Sequence, residues 1–232
     1  MDAVSALTDL LSLDGTRAPP PRPHALIADQ AETLAAIRWP EVNLALWTRA
    51  LPRSLVRFAR ACLATDLHVS FEAASDDVGL VLVEAIGSLP GADGRGARLW
   101  VEDVAQLAHR FAEATGAGEL HVHAQVLAHD GCRLFHIDNI RCRLITTYAG
   151  PGTEWLADDD VIRSALGKGD NDRVRRREAR INRLQTGWVG LFKGERLPAM
   201  RGRGIVHRSA PILHKMRRRL VLKIGHAGEV AC

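Results

Sequence analysis

The chain of 232 residues is poor in aromatic side chains, which make up 5% of it and include a single tyrosine. Leu, Val, Ile and Ala must therefore fill most of the core that its 47% hydrophobic content can supply. No apolar run approaches the roughly 20 residues that span a bilayer, so a membrane-spanning protein is not expected. The N-terminus has no basic stretch ahead of its short apolar run, which argues against a signal peptide. These absences favour a cytoplasmic protein.

Cysteine is also sparse, and its spacing excludes two classes of small domain. The four cysteines are widely separated and form no Cys-x-x-Cys pair, which argues against a disulfide scaffold and a standard zinc finger. The net charge is only +4, and six arginines are concentrated in residues 170–183. That segment lacks the interleaved aromatic residues that stack on bases, so nucleic-acid binding is not expected. It is predicted to be a solvated helix or a lid for an anionic substrate.

The hydrophobic pattern divides the chain into a helical part and a β part. Clustered prolines predict a flexible, extended arm over residues 1–30. The spacing of apolar residues predicts four helices, at residues 29–38, from Pro52 onward, at 77–88 and at 101–115. At Glu119 the period changes to alternation, and short strand-like segments follow. We therefore predict an α+β chain in which the helical part, 31–118, and the β part, 119–232, form one compact unit.

One segment of the β part has the residue types of a metal site. Residues 132–138 (CRLFHID) are predicted to form a strand, in which His136 and Asp138 point to the same face about 7 Å apart at the backbone. His207 ends another predicted strand and would supply a third ligand. Two histidines and one carboxylate form a facial triad that leaves three octahedral positions open, as in non-haem Fe(II) oxygenases.

Other interpretations of these residues remain open. The nearly symmetric set Cys132, His136, Asp138 and Cys142 has ligand types that suit zinc. In one continuous strand the two cysteines would lie about 33 Å apart, so they could share an ion only if the chain folds back between them. Buried, inert cysteines are the simpler hypothesis. The histidines and the aspartate could likewise be ordinary strand, turn and surface residues.

The order of these motifs resembles known families. HxD, then a distal histidine, then arginines that open the last strand, is similar to the Fe(II)- and 2-oxoglutarate-dependent oxygenases. The stretch FHIDNIRCRLITTYAGPGTEWL, continued by LFKGE, GRGIVHRSAP and RRLVL, more closely resembles a bacterial family known as a domain of unknown function, with a suggested link to zinc-responsive gene neighbourhoods. The oxygenase resemblance implies N-terminal helices packed on a C-terminal double-stranded β-helix (jelly-roll or cupin-like) barrel. It also implies that His136, Asp138 and His207 hold iron.

The same resemblance implies a binding site for 2-oxoglutarate. Arg218 or Arg219 would pair with the distal carboxylate through a bidentate fork, and strand alternation lets only one of them point into the barrel. The oxygenase pattern often has a hydroxyl residue two positions later, where this chain has Leu220 or Val221. The missing polar contacts would come from Tyr148, Thr146 or Arg143.

The turn GPGTEW completes the predicted site and leads to the functional expectation. Glu154 and Trp155 are predicted to contact substrate at the barrel mouth; the alternative is a rigid hairpin whose tryptophan packs. The predicted function is an enzyme that hydroxylates a small or unknown substrate while 2-oxoglutarate is converted to succinate. Two alternatives are a non-catalytic zinc-binding protein of metal homeostasis, closed by a fourth ligand such as Cys132 or Cys142, and a barrel-shaped binding module without turnover.

Overall fold

A large sheet, antiparallel except at one edge, organises this mixed α/β chain. The structure is a computed structural model that describes residues 24–213 and 217–229, so most of the predicted N-terminal arm lies outside the described residues. The strands are β1 (Ala25–Ala28), β2 (Leu44–Trp47), β3 (His68–Ala73), β4 (Leu120–Leu127), β5 (Cys142–Ala149), β6 (Glu154–Trp155), β7 (Asn182–Arg183), β8 (Val189–Lys193), β9 (His207–Arg208) and β10 (Arg219–His226). Seven of them form the main sheet in the order β1-β2-β8-β5-β10-β4-β3, in which only β1 and β2 run parallel.

Helices cover one face of the main sheet. They are a 3-10 helix (Ala31–Arg38), α1 (Arg53–Cys62), α2 (Val78–Ile86) and α3 (Arg95–Thr115). A short helix, α4 (Asn171–Val174), belongs instead to a separate apolar cluster with Phe135 and Val206, and 3-10 turns lie at Asp158–Asp160, Arg163–Ala165 and Pro198–Met200. Helices lie at the four predicted places, the first of them as a 3-10 helix. Trp100 and Phe111 of α3 are fully buried against the sheet, and Gly116 ends α3 in the left-handed conformation.

Strands also come from the part of the chain predicted to be helical. β2 and β3 both lie before residue 118, where the hydrophobic pattern predicts only helices. β2 is covered on both faces: Ala45 packs in the core under the helices, whereas Leu44 and Leu46 pack in the core on the other side. A strand buried on both faces is a short apolar run without alternating polar residues. The spacing of its apolar residues therefore does not identify it as a strand.

A small sheet covers the other face of the main sheet. Its order is β7-β6-β9, and His136 adds a single antiparallel bridge to His207 of β9. The apolar residues between the two sheets include Ile145, Trp155 and Phe192. This arrangement places the segments that enter and leave the small sheet over the main sheet.

The strand predicted over residues 132–138 is not formed. Only His136 makes a bridge, and the neighbouring backbone is bound by other groups. Phe135 donates its N–H to the side chain of Asn171 at 2.7 Å instead of to a strand. Side-chain partners of this kind offer the backbone an alternative to a regular ladder.

Among the helices of the described ranges, none is long and apolar enough to cross a membrane.

Candidate metal centre

Three side chains converge where the small sheet meets the segment before β5. His136, Asp138 and His207 each offer one ligand atom, and these atoms all lie within 4.8 Å of one another. Asp138 and His207 are buried, whereas His136 keeps part of its surface exposed at the rim. The HxD and distal-histidine pattern therefore forms a three-dimensional cluster of donor atoms that suits a divalent metal.

An antiparallel bridge fixes the two histidines relative to each other. The N–H of His136 donates to the carbonyl of His207 at 3.0 Å, and the N–H of His207 donates to the carbonyl of His136 at 3.0 Å. Their rings lie with centroids 4.6 Å apart. Two ligands from distant parts of the chain are thus held by backbone hydrogen bonds, which leave little freedom in their spacing.

Both imidazoles turn the same nitrogen towards the aspartate. Nδ1 of His136 lies 2.8 Å from the carbonyl of Leu134, and Nδ1 of His207 lies 3.1 Å from the carbonyl of Ile205. A carbonyl only accepts, so each Nδ1 carries the proton and each Nε2 is free to ligate. The Nε2 atoms lie 3.4 and 3.5 Å from the carboxylate of Asp138. A backbone carbonyl that orients the ring in this way is typical of metal-ligating histidines.

The electrostatics of the cluster keep the aspartate charged. Burial would raise the pKa of Asp138, but His207, His136 and Arg143 together hold it well below its ordinary value. Nη1 of Arg143 lies 3.1 Å from Oδ2 of Asp138. Burial also lowers the pKa of His207, although Asp138 opposes this. An ionised carboxylate beside a neutral imidazole is the protonation state in which both groups ligate a metal.

A close backbone approach holds Asp138 in place. The N–H of Glu195 donates to the carbonyl of Asp138 at 3.1 Å. A Cβ at Gly194 would lie 2.5 Å from that carbonyl oxygen and 2.2 Å from the carbonyl oxygen of Ile140. Only glycine allows two chain segments to approach this closely.

The two arginines that open β10 point in different directions. Arg218 lies outside the cavity and places Nη2 2.9 Å from the exposed carboxylate of Asp66. Arg219 is 2% exposed and lines the same cavity as His136 and His207. The alternation of the strand thus brings Arg219, and not Arg218, to the metal triad.

Hydroxyl groups, rather than a carboxylate, hold the guanidinium of Arg219. Its Nη2 lies 3.4 Å from Oγ1 of Thr147 and 3.3 Å from Oγ1 of Thr153. Within the described residues, its Nε and Nη1 have no hydrogen-bond partner. Burial lowers the pKa of Arg219 to about 10, against a smaller opposing effect of Glu154, so it stays charged at neutral pH. A buried cation with free donors is suited to receive an anion.

The same cavity is lined by three further basic side chains. They are Arg143, Lys223 and Arg208, of which Arg208 pairs with Glu154, and burial lowers the pKa of Lys223. Four basic side chains therefore surround a triad that has one carboxylate. This excess of positive charge favours an anionic ligand.

Tyr148 and Thr146, expected as co-substrate contacts, lie away from the triad. The hydroxyl of Tyr148 donates to Oδ2 of Asp103 at 2.6 Å, and its ring packs edge-on against Trp100. Successive side chains of a strand point to opposite faces, so positions 146 and 148 of β5 lie opposite Arg143. Of the three expected polar contacts, only Arg143 lines the cavity of Arg219.

Glu154 and Trp155, expected as substrate contacts, are both buried. Glu154 pairs with Arg183 and with Arg208, whose Nε lies 2.8 Å from Oε2. Trp155 packs in the core between the two sheets. Trp155 is thus packed, as in the alternative expectation, but the turn joins strands of two different sheets and is not a hairpin.

The two cysteines of the zinc hypothesis do not join the triad. Cys132 lines the cavity but is not one of the converging ligand residues. Cys142 lies on the opposite face of β5 from Arg143, where burial raises the pKa of its thiol to about 12. Among the residues that the structure describes, neither cysteine closes the triad as a fourth ligand.

Asn171 supports the metal centre and was missed by sequence reasoning. Its Oδ1 accepts the N–H of Phe135 at 2.7 Å, and its Nδ2 donates to the carbonyl of Arg133 at 3.0 Å. It begins α4, which is capped by Asp170 and lasts only four residues, so the arginine-rich segment is not one continuous helix. An Asp-Asn pair signals a helix start in sequence, but nothing in it indicates the contact with residues 133–135.

A family comparison covers most of the chain. The family described as "Protein of unknown function (DUF1826)" matches residues 28–224. The chain belongs to this family. The match to DUF1826 includes the whole triad and Arg219. No curated protein matches the sequence.

Solved structures resemble this DUF1826 chain at low sequence identity. A bsmA homolog from Methylobium petroleophilum PM1 has 15% identity and a TM-score of 0.48, over 89% of this chain and 96% of that one. The rice dioxygenase for auxin oxidation has 12% identity and a TM-score of 0.46, over 88% and 86%. The Arabidopsis thaliana dioxygenase for auxin oxidation 1, in a binary complex with 2-oxoglutarate, has 9% identity and a TM-score of 0.44, over 87% and 91%. With TM-scores below 0.5, these likenesses carry no argument about this chain.

Proposed function

We propose that this DUF1826 protein is an Fe(II)- and 2-oxoglutarate-dependent oxygenase that hydroxylates a small molecule. The observation that carries the proposal is the presence, in one cavity, of a triad of metal ligands and a buried arginine without a carboxylate partner. The triad leaves coordination positions open, and the arginine offers free, charged donors for a carboxylate. A ligand that chelates metal at one end and carries a carboxylate at the other fits both features.

The donor set fits Fe(II). Two imidazole nitrogens and one carboxylate oxygen form the set used by non-haem iron enzymes, and no thiolate belongs to the cluster. Oδ2 of Asp138 is buried and, in the described part of the chain, receives no hydrogen bond with good geometry, which leaves a lone pair for a cation. Bound at this set, Fe(II) would supply the O2 chemistry that couples oxidative decarboxylation of 2-oxoglutarate to hydroxylation of the substrate.

Side chains of this protein are suited to bind the distal carboxylate of 2-oxoglutarate. The distal carboxylate of 2-oxoglutarate would accept from Nη1 of Arg219, while Thr147 and Thr153 hold the guanidinium in place through Nη2. The oxygenase pattern often has a hydroxyl two residues after the arginine, where this chain has Val221. Val221 is buried in the apolar core between the sheets, so the two threonines would supply the hydroxyls, Thr147 from β5 and Thr153 from the segment before β6.

The jelly-roll part of the proposal is supported by the strand order. Strands β4, β10, β5 and β8 are neighbours in the main sheet, and His136, β9, β6 and β7 are neighbours in the small sheet. Along the chain, the path passes from β4 to His136, then to β5, β6 and β7, then to β8, β9 and β10. This exchange between two facing antiparallel sheets is typical of a double-stranded β-helix.

An anaerobic titration tests the proposal. Fe(II) and then 2-oxoglutarate are added to the metal-free protein while visible absorption is followed. We expect a charge-transfer band that requires both additions, because a chelated co-substrate must contact the metal. The band should disappear in His207→Ala and persist in His129→Ala, which removes an exposed histidine outside the triad.

Two other outcomes would contradict the proposal and support one of the two alternative functions. Tight zinc binding at the triad without any band would favour a non-catalytic role in metal homeostasis. Failure to bind either metal would favour a binding module without turnover. Metal binding that is unaffected by His207→Ala would show that the triad is not the site.

A further inference from the structure

A second large cavity lies on the opposite side of the main sheet from the metal triad. Strand alternation in β5 separates the two: Arg143 points to Asp138, whereas its neighbour Cys142 lines the second cavity. This second cavity has a volume of about 570 Å³. That space is sufficient for a small organic molecule.

The walls of this cavity are mainly apolar. Ile37 of the 3-10 helix and Ala114 of α3 form one side. Leu197 and Met200, from the loop that joins β8 to β9, form another. Leu197 is partly exposed, so the apolar surface continues from the interior to the rim. Such a surface favours a hydrocarbon or aromatic body.

Basic side chains project from the same walls, which within the described residues include no acidic group. They are Arg38, Arg141, Lys193 and Arg203. Two of them already serve the fold. Arg38 donates to the carbonyls of Glu113 and Ala114 at the end of α3, and Nε of Arg141 lies 2.8 Å from Oε1 of Glu229.

The other two basic groups have no ion-pair partner in the part of the chain that the structure describes. Lys193 is 8% exposed, and its Nζ donates to the carbonyl of Trp39 at 2.6 Å. Glu41 acts on Lys193 only from beyond ion-pair distance, and burial lowers the pKa of the ammonium group. Arg203 lies at the exposed rim. Charge that is buried beside apolar walls without a counter-ion is costly, and a bound anion would remove that cost.

We propose that this cavity is a binding site for a molecule with an apolar body and a single anionic head group, such as a medium-chain or aromatic carboxylate. The body would lie against Ile37 and Met200, and the head group would lie between Lys193 and Arg203. The site is independent of the proposed oxygenase activity, because the main sheet separates it from the triad.

Calorimetric titration of the full chain with decanoate and with decanol tests this proposal. The two probes share the same chain length and differ in head group. We expect decanoate to bind with a stoichiometry of one and decanol to bind at least tenfold more weakly, since decanol lacks the charge-assisted contact of the head group. Equal affinity for both probes, or no binding of decanoate, would overturn the proposal.

Three variants locate the binding. Arg203→Gln should weaken decanoate about tenfold, whereas Arg201→Gln, an exposed change in the same loop outside the cavity lining, should not. Ala199→Trp places bulk at the rim, keeps every charge and should block the probe. Decanoate in the cation-lined triad cavity would be insensitive to Ala199→Trp. That insensitivity would therefore refute the proposed location.

Discussion

Arg143 places its Nη1 3.1 Å from Oδ2 of Asp138, and the two side chains are only 7% and 4% exposed. Together with His207 and His136, Arg143 keeps the central carboxylate of the triad charged. Arg143 is thus a structural partner of the triad. The pair therefore joins the stability of the fold to the chemistry of the site.

Replacing Arg143 by glutamine should destabilise the metal-free protein by about 3 kcal/mol, because it leaves a buried carboxylate without its cation. Chemical denaturation of the metal-free variant measures the loss. Saturating Mn(II) should recover part of it, since a cation at the triad replaces the missing positive charge. If metal-free Arg143→Gln is as stable as the original protein, the ion pair has no role in holding Asp138.

Replacing Arg219 by methionine should weaken 2-oxoglutarate about a hundredfold, because the distal carboxylate loses a buried, charge-assisted partner. Metal affinity should stay the same. Arg218→Met is the matched control, since the neighbouring arginine only pairs with exposed Asp66. Isothermal titration of the Mn(II)-loaded protein measures both affinities. Equal losses in the two variants would contradict the assignment of Arg219.

The same Arg219→Met variant should be at least as stable as the original protein without ligands. A buried guanidinium without a carboxylate partner carries a desolvation cost, which an apolar side chain of similar length removes. Thermal unfolding of the metal-free proteins checks this. A large loss of stability would mean that Arg219 serves the fold rather than a ligand.

Mn(II) at about a hundredfold excess over its Kd should stabilise the protein by about 2.7 kcal/mol. For a chain of this size the Tm should rise by about 5–10 °C. A chelator should reverse the shift, and His207→Ala should abolish it. Calorimetry with and without chelator provides the measurement. A shift of similar size in His207→Ala would indicate binding elsewhere.

Tyr148→Phe should cost about 1–2 kcal/mol of stability while leaving 2-oxoglutarate affinity unchanged. The hydroxyl donates to Asp103, which also pairs with Arg49, so its removal affects the packing of the helices on the sheet. Urea denaturation and the titration described for Arg219 give the two readouts. A selective loss of co-substrate affinity would restore Tyr148 as a site residue.

Glu154→Gln should destabilise the fold by about 3 kcal/mol, because two arginines lose the buried carboxylate that they share. Glu32→Gln, at an exposed position, should change stability by less than about 1 kcal/mol. Comparison of the denaturation midpoints tests both expectations. Similar small effects in the two variants would return Glu154 to the list of substrate contacts.

The triad was predictable because the chemistry of a ligand depends on residue type, which sequence records directly. The three ligand residues do converge, but for a different reason than the one expected. His136 and Asp138 do not share the face of a regular strand; the bridge of His136 to His207 and the hydrogen bonds of Asn171 position the segment. These contacts join residues that are distant in sequence, so local spacing carries no trace of them.

The error in the predicted co-substrate contacts lies in strand parity. Arg143 and Tyr148 differ by an odd number of positions in one continuous strand, so they cannot share a face. The same parity places Thr147 on the face of Arg143, where it contacts Arg219. The choice between Arg218 and Arg219 could not be made in this way, because it depends on how β10 is oriented by its neighbours.

The reciprocal backbone hydrogen bonds between His136 and His207 also bear on how the molecule folds. The chain between them must fold back before the two residues meet, so this contact carries the loop-closure entropy of a long segment. The triad is therefore a long-range contact that no isolated fragment of the chain can form. A metal bound there would link distant segments of the chain across the small sheet. It would therefore selectively slow the hydrogen exchange of the backbone amides of that sheet.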